Sequence, residues 1–249
     1  MPAGNDIVST DLVTHLAYHH TGFTTTVSET LDLSLFETSL RGCTFDIDGN
    51  FIYTHIFGAY KVFNRKVGFT LTLKDQITAP STAPWGCTWS GASFFSSDEN
   101  ANVYSHNGFS TTLTNTHATG LTHCSGLAIN EGPMLPEWHV NTDDGNGGTD
   151  RIQIGTYQTQ EQLRNAINVT MRGSDWDGSN RIFIFKFFTE SIRRCVGFTN
   201  TVDTSLVPPA LDAYASCQFV DTDAPGTRRQ RQFKALMSRV RKRRSKRKH

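Results

Sequence analysis

The sequence predicts an all-β protein, folded as a single sandwich or barrel of about eight to ten strands. Three observations support this prediction. Short segments alternate apolar and polar residues, as half-buried strands do. Asp-Gly pairs, which favour hairpin turns, separate several of these segments. Strand-like and helix-like patterns do not alternate along the chain, so a parallel sheet with crossover helices is excluded.

The predicted strands share an alternating or continuously apolar pattern. In 67–74, the residues Val67, Phe69, Leu71 and Leu73 fall on one face. The segment 181–188, RIFIFKFF, is apolar on both faces, which is typical of a central strand covered on both sides. The complete set is 51–57, 59–63, 67–74, 109–114, 151–157, 181–188 and 214–220.

Turns, loops and helices fill the intervals between these strands. Hairpin turns are predicted at DIDGN (46–50), DDGNGG (143–148) and DWDGSN (175–180). The segment 75–100 contains two prolines and is predicted to be a long loop with one short strand. A helix is predicted over 159–171, capped by Thr159, with a second short helix near 11–18. No internal repeat is evident.

Charge divides the chain into two parts. Residues 228–249 contain 12 of the 24 Lys and Arg residues and no acid, whereas residues 1–227 contain the other 12 and all 23 acids. The body therefore has a net charge of −11 and the terminal segment a net charge of +12. We expect a folded domain over 1–222 and a basic arm over 223–249. Such asymmetry indicates a polyanionic partner that contacts the arm and not the acidic body.

The basic arm is the predicted binding site. Phe233, Leu236, Met237 and Val240 have helical spacing, so 230–244 can form a helix with an apolar stripe. Three partners are compatible with it: nucleic-acid phosphates, a nuclear-import receptor, and an anionic membrane contacted transiently. Only one aromatic residue is present, so nucleic acid would be bound without sequence preference. The predicted contacts are Arg228, Arg229, Arg231, Lys234, Arg239, Arg241, Lys242, Arg243, Arg244, Lys246, Arg247 and Lys248.

No catalytic, metal or cofactor site is predicted in the body. The two D-x-D-G stretches begin like calcium loops, but the twelfth positions are Phe57 and Lys186, which cannot ligate calcium. The histidines lack metal-binding spacing. An alternative is an intracellular hydrolase that uses Cys87 or Cys124, but no sequence motif supports it. The five cysteines are predicted to be reduced, because their number is odd and their spacing irregular.

The N-terminus shows no secretory signal pattern, and no stretch reaches the roughly 18 apolar residues that cross a bilayer. We therefore expect a soluble protein that acts inside a cell.

Together, the strand runs, the helix pattern at 159–171 and the basic segment Arg228–Lys248 resemble the coat proteins of small non-enveloped icosahedral viruses. This resemblance implies a single jelly-roll-like β-sandwich with one or two short helices and a basic C-terminal arm. It further implies self-assembly into a closed shell that packages a viral genome. The expected locations would be the virion and the host cytoplasm and nucleus. The alternative is a cellular β-sandwich binding module whose basic tail directs nuclear import or tethers nucleic acid.

Overall fold

The structure is a computed structural model of the 249-residue chain. It describes the residues 6–34, 39–57, 60–121, 123–130, 137–142, 148–154, 159–164, 170–176, 180–186, 190–199, 201–207 and 214–219.

Twenty short strands account for most of the described residues. In chain order they are β1 (Ile7–Asp11), β2 (Leu16–His20), β3 (Val27–Asp32), β4 (Leu40–Phe45), β5 (Phe51–Phe57), β6 (Tyr60–Lys66), β7 (Leu73–Thr78), β8 (Pro84–Ser90), β9 (Ser93–Asp98), β10 (Asn102–His106), β11 (Leu113–Ala118), β12 (Gly126–Asn130), β13 (Glu137–Thr142), β14 (Gly148–Gln153), β15 (Thr159–Arg164), β16 (Thr170–Trp176), β17 (Asn180–Lys186), β18 (Glu190–Val196), β19 (Val202–Leu206) and β20 (Tyr214–Phe219).

Within the described ranges, these strands form five antiparallel sheets of four strands each. Sheet 1 has the order β20-β1-β2-β3, so it joins the last described strand to the first three described strands. Sheets 2 to 5 are consecutive four-strand units: β4–β7, β8–β11, β12–β15 and β16–β19.

The first strand of each sheet faces the centre of a closed ring. Contacts run from β4 to β8, from β8 to β12, from β12 to β16, from β16 to β20, and from β20 back to β4. The ring is closed by β20, which pairs with β1 across almost the full length of the sequence. Because neighbouring strands in a sheet are antiparallel, the turns between third and fourth strands lie on one face of the ring, here called the turn face. The turns between second and third strands lie on the opposite face.

Glycines at the centre allow neighbouring inner strands to touch through their backbones. A Cβ atom on Gly42 would lie 2.7 Å from both Cys87 N and Gly86 Cα of the next sheet. A Cβ on Gly86 would lie 2.9 Å from Leu127 N, and one on Gly126 would lie 2.8 Å from Gly173 C. No side chain fits at these separations, which lie below normal van der Waals contact. At these three of the five junctions, neighbouring inner strands are therefore in backbone contact.

The hydrophobic core is divided among the seams between adjacent sheets. Val8 and Leu31 of sheet 1 pack with Phe51 and Tyr53 of sheet 2. Other clusters join sheet 2 to sheet 3, sheet 3 to sheet 4, and sheet 5 back to sheet 1. Sheets 1, 2 and 3 therefore each pack apolar side chains on both of their faces, which a two-layer sandwich does not require.

Four turns on the turn face share a sequence motif and a pair of hydrogen bonds. They read Gly-Phe-(Thr/Ser)-x-Thr-(Val/Leu), and their glycines have positive φ: Gly22 (60°), Gly68 (57°), Gly108 (62°) and Gly197 (59°). In the first, the hydroxyl of Thr24 donates to Thr21 O at 2.7 Å and accepts from Thr26 N at 3.2 Å. The other three repeat this pair of bonds within 0.1 Å.

The phenylalanines of these turns receive a side chain from the preceding sheet. Arg65 of sheet 2 lies over the ring of Phe109 of sheet 3, with its Cζ atom 4.5 Å from the ring centroid. Arg194 of sheet 5 lies over Phe23 of sheet 1 at 5.3 Å, across the seam that closes the ring. Arg151 lies over Phe198 at 5.4 Å, and His19 meets Phe69 edge-on at 5.8 Å. These contacts link successive sheets through cation–π and aromatic interactions.

The all-β prediction is confirmed, but the single jelly-roll-like sandwich is wrong. The alternating pattern of the segments identified strands and did not determine how the resulting sheets associate. The strands predicted at 51–57, 59–63 and 214–220 correspond to β5, β6 and β20. The prediction over 181–188 corresponds to β17, which lies between β16 and β18 and is an internal strand of its sheet. The strand predicted over 151–157 corresponds to the end of β14, and residues 155–157 lie outside the described residues.

Two predicted strands are instead mostly turns. The segments 67–74 and 109–114 contain two of the Gly-Phe turns, and β7 and β11 begin only at Leu73 and Leu113. Val67, Leu71 and Leu73 are 47–48% exposed, so the alternation does not define a buried strand face. Conversely, the predicted loop 75–100 contains the end of β7 and all of β8 and β9.

The predicted helices are also wrong where the structure describes them. Residues 159–164 form β15, which pairs with β14, and residues 170–171 begin β16. Residues 165–169 lie outside the described ranges. The second helix, near 11–18, is replaced by the turn between β1 and β2. No helix in the described part of the chain is long and apolar enough to span a membrane.

Candidate nucleic-acid interface

All twelve predicted basic contacts, Arg228 to Lys248, lie outside the described residues. The structure does locate the strand that precedes them. Phe219, the last residue of β20, pairs with Ile7, and Ile7 pairs with His20, which comes immediately before the Gly-Phe turn of sheet 1. The end of β20 therefore lies on the turn face, in the innermost position of sheet 1. Arg228 follows nine positions later in the sequence.

Negative charge is concentrated in the parts of the chain that build sheet 1 and its flanks. Residues 1–40 and 195–227, here called the acidic sector, contain nine acids and no Lys or Arg. The intervening residues 41–194 are nearly balanced, with 14 acids and 12 basic residues. The nine acids are Asp6, Asp11, Glu29, Asp32, Glu37, Asp203, Asp212, Asp221 and Asp223.

Three of these acids lie toward the turn face in described residues. The Asp6 carboxylate accepts a hydrogen bond from Gly22 N at 2.6 Å and lies 3.2 Å from His19 Nε2. Glu29 is exposed on β3, opposite His19 on β2. Asp203 accepts a hydrogen bond from Arg194 Nε at 2.8 Å and remains 41% exposed. This end of sheet 1 and the adjoining part of sheet 5 therefore present carboxylates to solvent.

A separate polar cluster lies on the opposite face, at the seam between sheets 2 and 3. The Arg41 guanidinium stacks on the Trp85 ring at 4.0 Å and forms an ion pair with Glu99. His123 Nδ1 lies 3.0 Å from the Glu99 carbonyl oxygen. This cluster was not among the sites predicted from the sequence. The only sequence signal was that Arg41 and Trp85 each precede an inner-strand glycine.

Two serine–histidine pairs have the separation of a catalytic dyad but are buried. Ser9 Oγ lies 2.9 Å from His20 Nε2, and Ser96 Oγ lies 2.9 Å from His106 Nε2. All four residues are at most 1% exposed. Burial lowers the pKa of His20 to about 4 and also lowers the pKa of His106. The pairs occupy equivalent positions in sheets 1 and 3, which is typical of repeated structural contacts.

The cysteines proposed as nucleophiles are also buried. Burial raises the pKa of the Cys87 thiol well above its usual value, with the neighbouring Cys43 adding to the effect. Cys124 is 0% exposed, and its Sγ lies 3.6 Å from the Thr119 hydroxyl. A protonated, inaccessible thiol is a poor nucleophile. Among the described residues, Cys43, Cys87, Cys124 and Cys195 are free thiols.

The Asp-Gly stretch at 46–50 is a turn, as predicted. Asp46 Oδ1 accepts hydrogen bonds from the backbone nitrogens of Asp48 and Asn50, both at 2.9 Å, and Gly49 has φ of +79°. Its carboxylate is thus used within the hairpin between β4 and β5. No group of three or more potential metal ligands occurs in the part of the chain that the structure describes.

Comparison with known proteins identifies the fold and no family. No protein-family model matches this chain, and no curated protein sequence matches it. Solved structures do match. Glutaminyl cyclase of Myxococcus xanthus aligns with a TM-score of 0.53 and 10% identity, over 68% of this chain and 70% of that one. Hydrazine synthase of Kuenenia stuttgartiensis aligns with a TM-score of 0.50 and 11% identity, over 78% of this chain and 60% of that one.

These neighbours are β-propeller proteins, and a ring of four-stranded antiparallel sheets is the architecture of that fold. The fold is a β-propeller. The Pan2 WD40 domain of Neurospora crassa also aligns, with a TM-score of 0.49 and 9% identity over 68% of this chain. The chain spans 60% of the hydrazine synthase chain and 49% of the Pan2 chain. At such low identities the likeness concerns the fold alone.

The propeller fold overturns the resemblance to viral coat proteins. Both the coat-protein function and the alternative, a cellular β-sandwich module, were inferred from a sandwich that this chain does not form. The closed shell and packaged genome were implied only by that resemblance. The basic arm was inferred from charge and is independent of it.

Proposed function

We propose that this protein is a non-catalytic propeller that holds nucleic acid through the basic segment 228–249. The observation that supports it is the segregation of charge: twelve Lys and Arg without an acid, joined to a body of net charge −11. Each basic side chain that pairs with a phosphate releases a condensed counterion, which favours binding to any sequence. The acidic propeller repels the same polyanion, so contact is confined to the segment.

The non-catalytic part of the proposal is supported by the state of the reactive side chains. The Cys87 thiol is held protonated by burial, and the His20 and His106 rings are held neutral beside buried serines. In this proposal the propeller acts as a rigid platform that anchors the segment.

The test compares the full chain with a truncated protein that ends at Thr227. All strands of the ring in the described residues end by Phe219, so the truncated protein should retain the propeller. Binding to a fluorescent single-stranded oligonucleotide should be lost. Replacing the exposed Lys74 by Gln removes one basic residue from the body and should leave affinity unchanged. Retained binding by the truncated protein would refute the proposal.

The salt dependence of the full chain provides a second measurement. The logarithm of the binding constant should fall linearly with the logarithm of salt concentration, with a slope of about −0.7 for each phosphate contacted. A response independent of salt would contradict binding to a polyanion. Binding to anionic vesicles or to an import receptor, without binding to the oligonucleotide, would reassign the segment to one of those partners.

A further inference from the structure

We propose that the basic segment 228–249 docks on the acidic turn face of its own propeller, around sheet 1, and that nucleic acid displaces it. The inference rests on the proposed function for the competing ligand, but the docking itself depends only on the propeller and the segment. Three features support it: the location of the acids, the position of the chain before the segment, and exposed apolar side chains beside sheet 1.

The acids are concentrated where the segment begins. The acidic sector carries a net charge of −9, against −2 for the longer stretch 41–194. Its two parts meet in sheet 1, because β20 pairs with β1. A segment of charge +12 that follows β20 is therefore tethered to the most negative part of the molecule. Tethering raises the effective concentration of the segment near these carboxylates to roughly the millimolar range.

The length of chain after β20 is sufficient. Phe219 lies on the turn face at the inner end of sheet 1, and Phe233 follows 14 positions later. A fully extended stretch of that length spans up to about 48 Å. Four strands spaced by about 4.8 Å extend only about 15 Å from the innermost to the outermost strand. The segment can therefore reach any position along sheet 1.

Apolar side chains flank this site on both sides. Val67 and Leu71 of sheet 2 are each 47% exposed, and Val196 of sheet 5 is 52% exposed. Leu71 lies in a Gly-Phe turn, and Val67 and Val196 directly precede one. Sheets 2 and 5 are the neighbours of sheet 1 in the ring. The helical stripe Phe233, Leu236, Met237 and Val240 provides a matching apolar surface. Its basic flanks would pair with Glu29, Asp203 and the exposed Asp48 of sheet 2.

Limited trypsin digestion of the full chain tests the docking. Twelve cleavage sites lie in the segment, so its accessibility controls the rate of its removal. At low salt the segment should be cleaved slowly, and about 0.5 M salt should accelerate cleavage because ion pairs at this surface are screened. An oligonucleotide does not serve as the releasing agent here, because it would itself cover the segment. A short peptide that cannot dock serves as the control for the effect of salt on trypsin itself. If the rate of segment cleavage, divided by that of the control peptide, is the same at both salt concentrations, the proposal is overturned.

Charge reversal at two positions of one strand provides matched variants. Glu29 and Asp32 are both exposed on β3, but Glu29 lies toward the turn face and Asp32 lies toward the opposite face. Glu29→Lys should accelerate cleavage at low salt and raise oligonucleotide affinity about two- to fivefold, the range expected for losing an exposed ion pair. Asp32→Lys should have a smaller effect on both. If the two variants change cleavage and affinity equally, the effect is one of net charge, and docking at the turn face is refuted.

An apolar pair of variants tests the other half of the surface. Val196→Ser removes an exposed apolar side chain from sheet 5, which is a neighbour of sheet 1. Leu113→Ser removes one from sheet 3, which is not a neighbour of sheet 1. Only the first should accelerate cleavage. Circular dichroism of each variant confirms that the propeller is intact, and a Val196→Ala variant keeps the measurement valid if the serine variant unfolds.

Two further outcomes separate this inference from the proposed function. Protection that increases with protein concentration would show docking on a second copy and would overturn docking in cis. Salt-sensitive protection in a protein that binds no oligonucleotide would support the docking while refuting the proposed function. The opposite result is a full chain that binds the oligonucleotide equally well with and without Glu29→Lys and whose segment is cleaved rapidly at low salt. That result would refute the docking while supporting the proposed function.

Discussion

Replacing Gly42 by Ala should destabilise the propeller by about 3 kcal/mol. The added methyl group would lie 2.7 Å from Cys87 N and Gly86 Cα, and closer still to the Trp85 carbonyl oxygen. All of these are backbone atoms, so the seam between sheets 2 and 3 must open by at least about half an ångström to reach van der Waals contact. Overpacking of this kind costs about 1–3 kcal/mol, and Gly42→Ala falls at the upper end because every atom it meets is backbone and cannot rotate away.

Two smaller effects act in opposite directions. Opening the seam lengthens the hydrogen bond from the Thr54 hydroxyl to Trp85 O, now 2.7 Å, which contributes about 1 kcal/mol. Alanine also restricts the unfolded chain more than glycine does, which offsets about 0.5–1 kcal/mol. These two effects nearly cancel, so the steric cost determines the result.

Urea unfolding followed by tryptophan fluorescence measures this free energy. The control is Gly91→Ala, at a turn where φ is +55° and no atom lies within 4 Å of the new methyl group. That variant should lose about 1 kcal/mol from its positive φ alone. If Gly42→Ala costs no more than Gly91→Ala, then the inner strands are not in backbone contact and the reasoning is refuted.

Two further predictions concern the buried histidines and the seams. Burial lowers the pKa of His20 to about 4, below its value of about 6.5 in the unfolded chain. The stability contributed by the buried neutral ring is therefore complete above pH 6.5 and is lost as the pH falls toward 4, because the unfolded chain binds a proton first. The unfolding free energy should fall by up to about 3 kcal/mol over that interval, and less in His20→Gln; equal losses would contradict this. A double-mutant cycle of Arg65→Leu and Phe109→Leu should show about 0.5–1 kcal/mol of coupling. The same Arg65 variant combined with Phe23→Leu, in another seam, should show none.

The repeat that defines the fold was present in the sequence but not recognised. Inner-strand glycines occur at 42, 86, 126 and 173, with Ser216 at the equivalent position of β20, so the spacing is 40 to 47 residues. Such a period is typical of propeller sheets. The copies share few residues and vary in length, so similarity between any two is weak. The four Gly-Phe turns are the clearest shared signal, and their alternating residues favoured a strand instead.

Local patterns indicated strands, whereas the association of sheets depends on contacts distant in sequence. In β1, all five residues Ile7 to Asp11 are buried, although three of them are polar. Thr10 donates a hydrogen bond to Arg41 O of the next sheet at 3.2 Å, and Thr54 donates to Trp85 O in the next seam. Strands buried on both faces by polar contacts do not show the apolar run expected of covered strands.

The prediction over 159–171 failed because tertiary pairing outweighed local preference. Thr159 and Gln162 match a helix start, and Leu163 and Ala166 match helical spacing. In the structure, Gly148 to Ile152 pair with Thr159 to Arg164, and this completes the fourth strand of sheet 4. Isolated helices of about a dozen residues are marginally stable, so pairing with an existing sheet readily replaces them.

Among the four sheets with a Gly-Phe turn, only sheet 3 lacks an arginine or histidine three positions before the turn glycine. The residue three positions before the turn glycine is His19, Arg65 or Arg194 in sheets 1, 2 and 5, but Ser105 in sheet 3. The next sheet is also the one whose sequence lacks the Gly-Phe pair, since residues 155–158 read Gly-Thr-Tyr-Gln.

In the sequence, the arginine or histidine of sheet 3 and the Gly-Phe pair of sheet 4 are therefore absent together. That seam instead holds Trp138, which is fully buried and lies 5.9 Å from the Phe95 ring and 6.0 Å from His117. A buried tryptophan supplies a large apolar contact area across the seam. The joint absence indicates that cation and phenylalanine act as one unit that holds adjacent sheets together. Such a role predicts coupling within each seam and independence between seams.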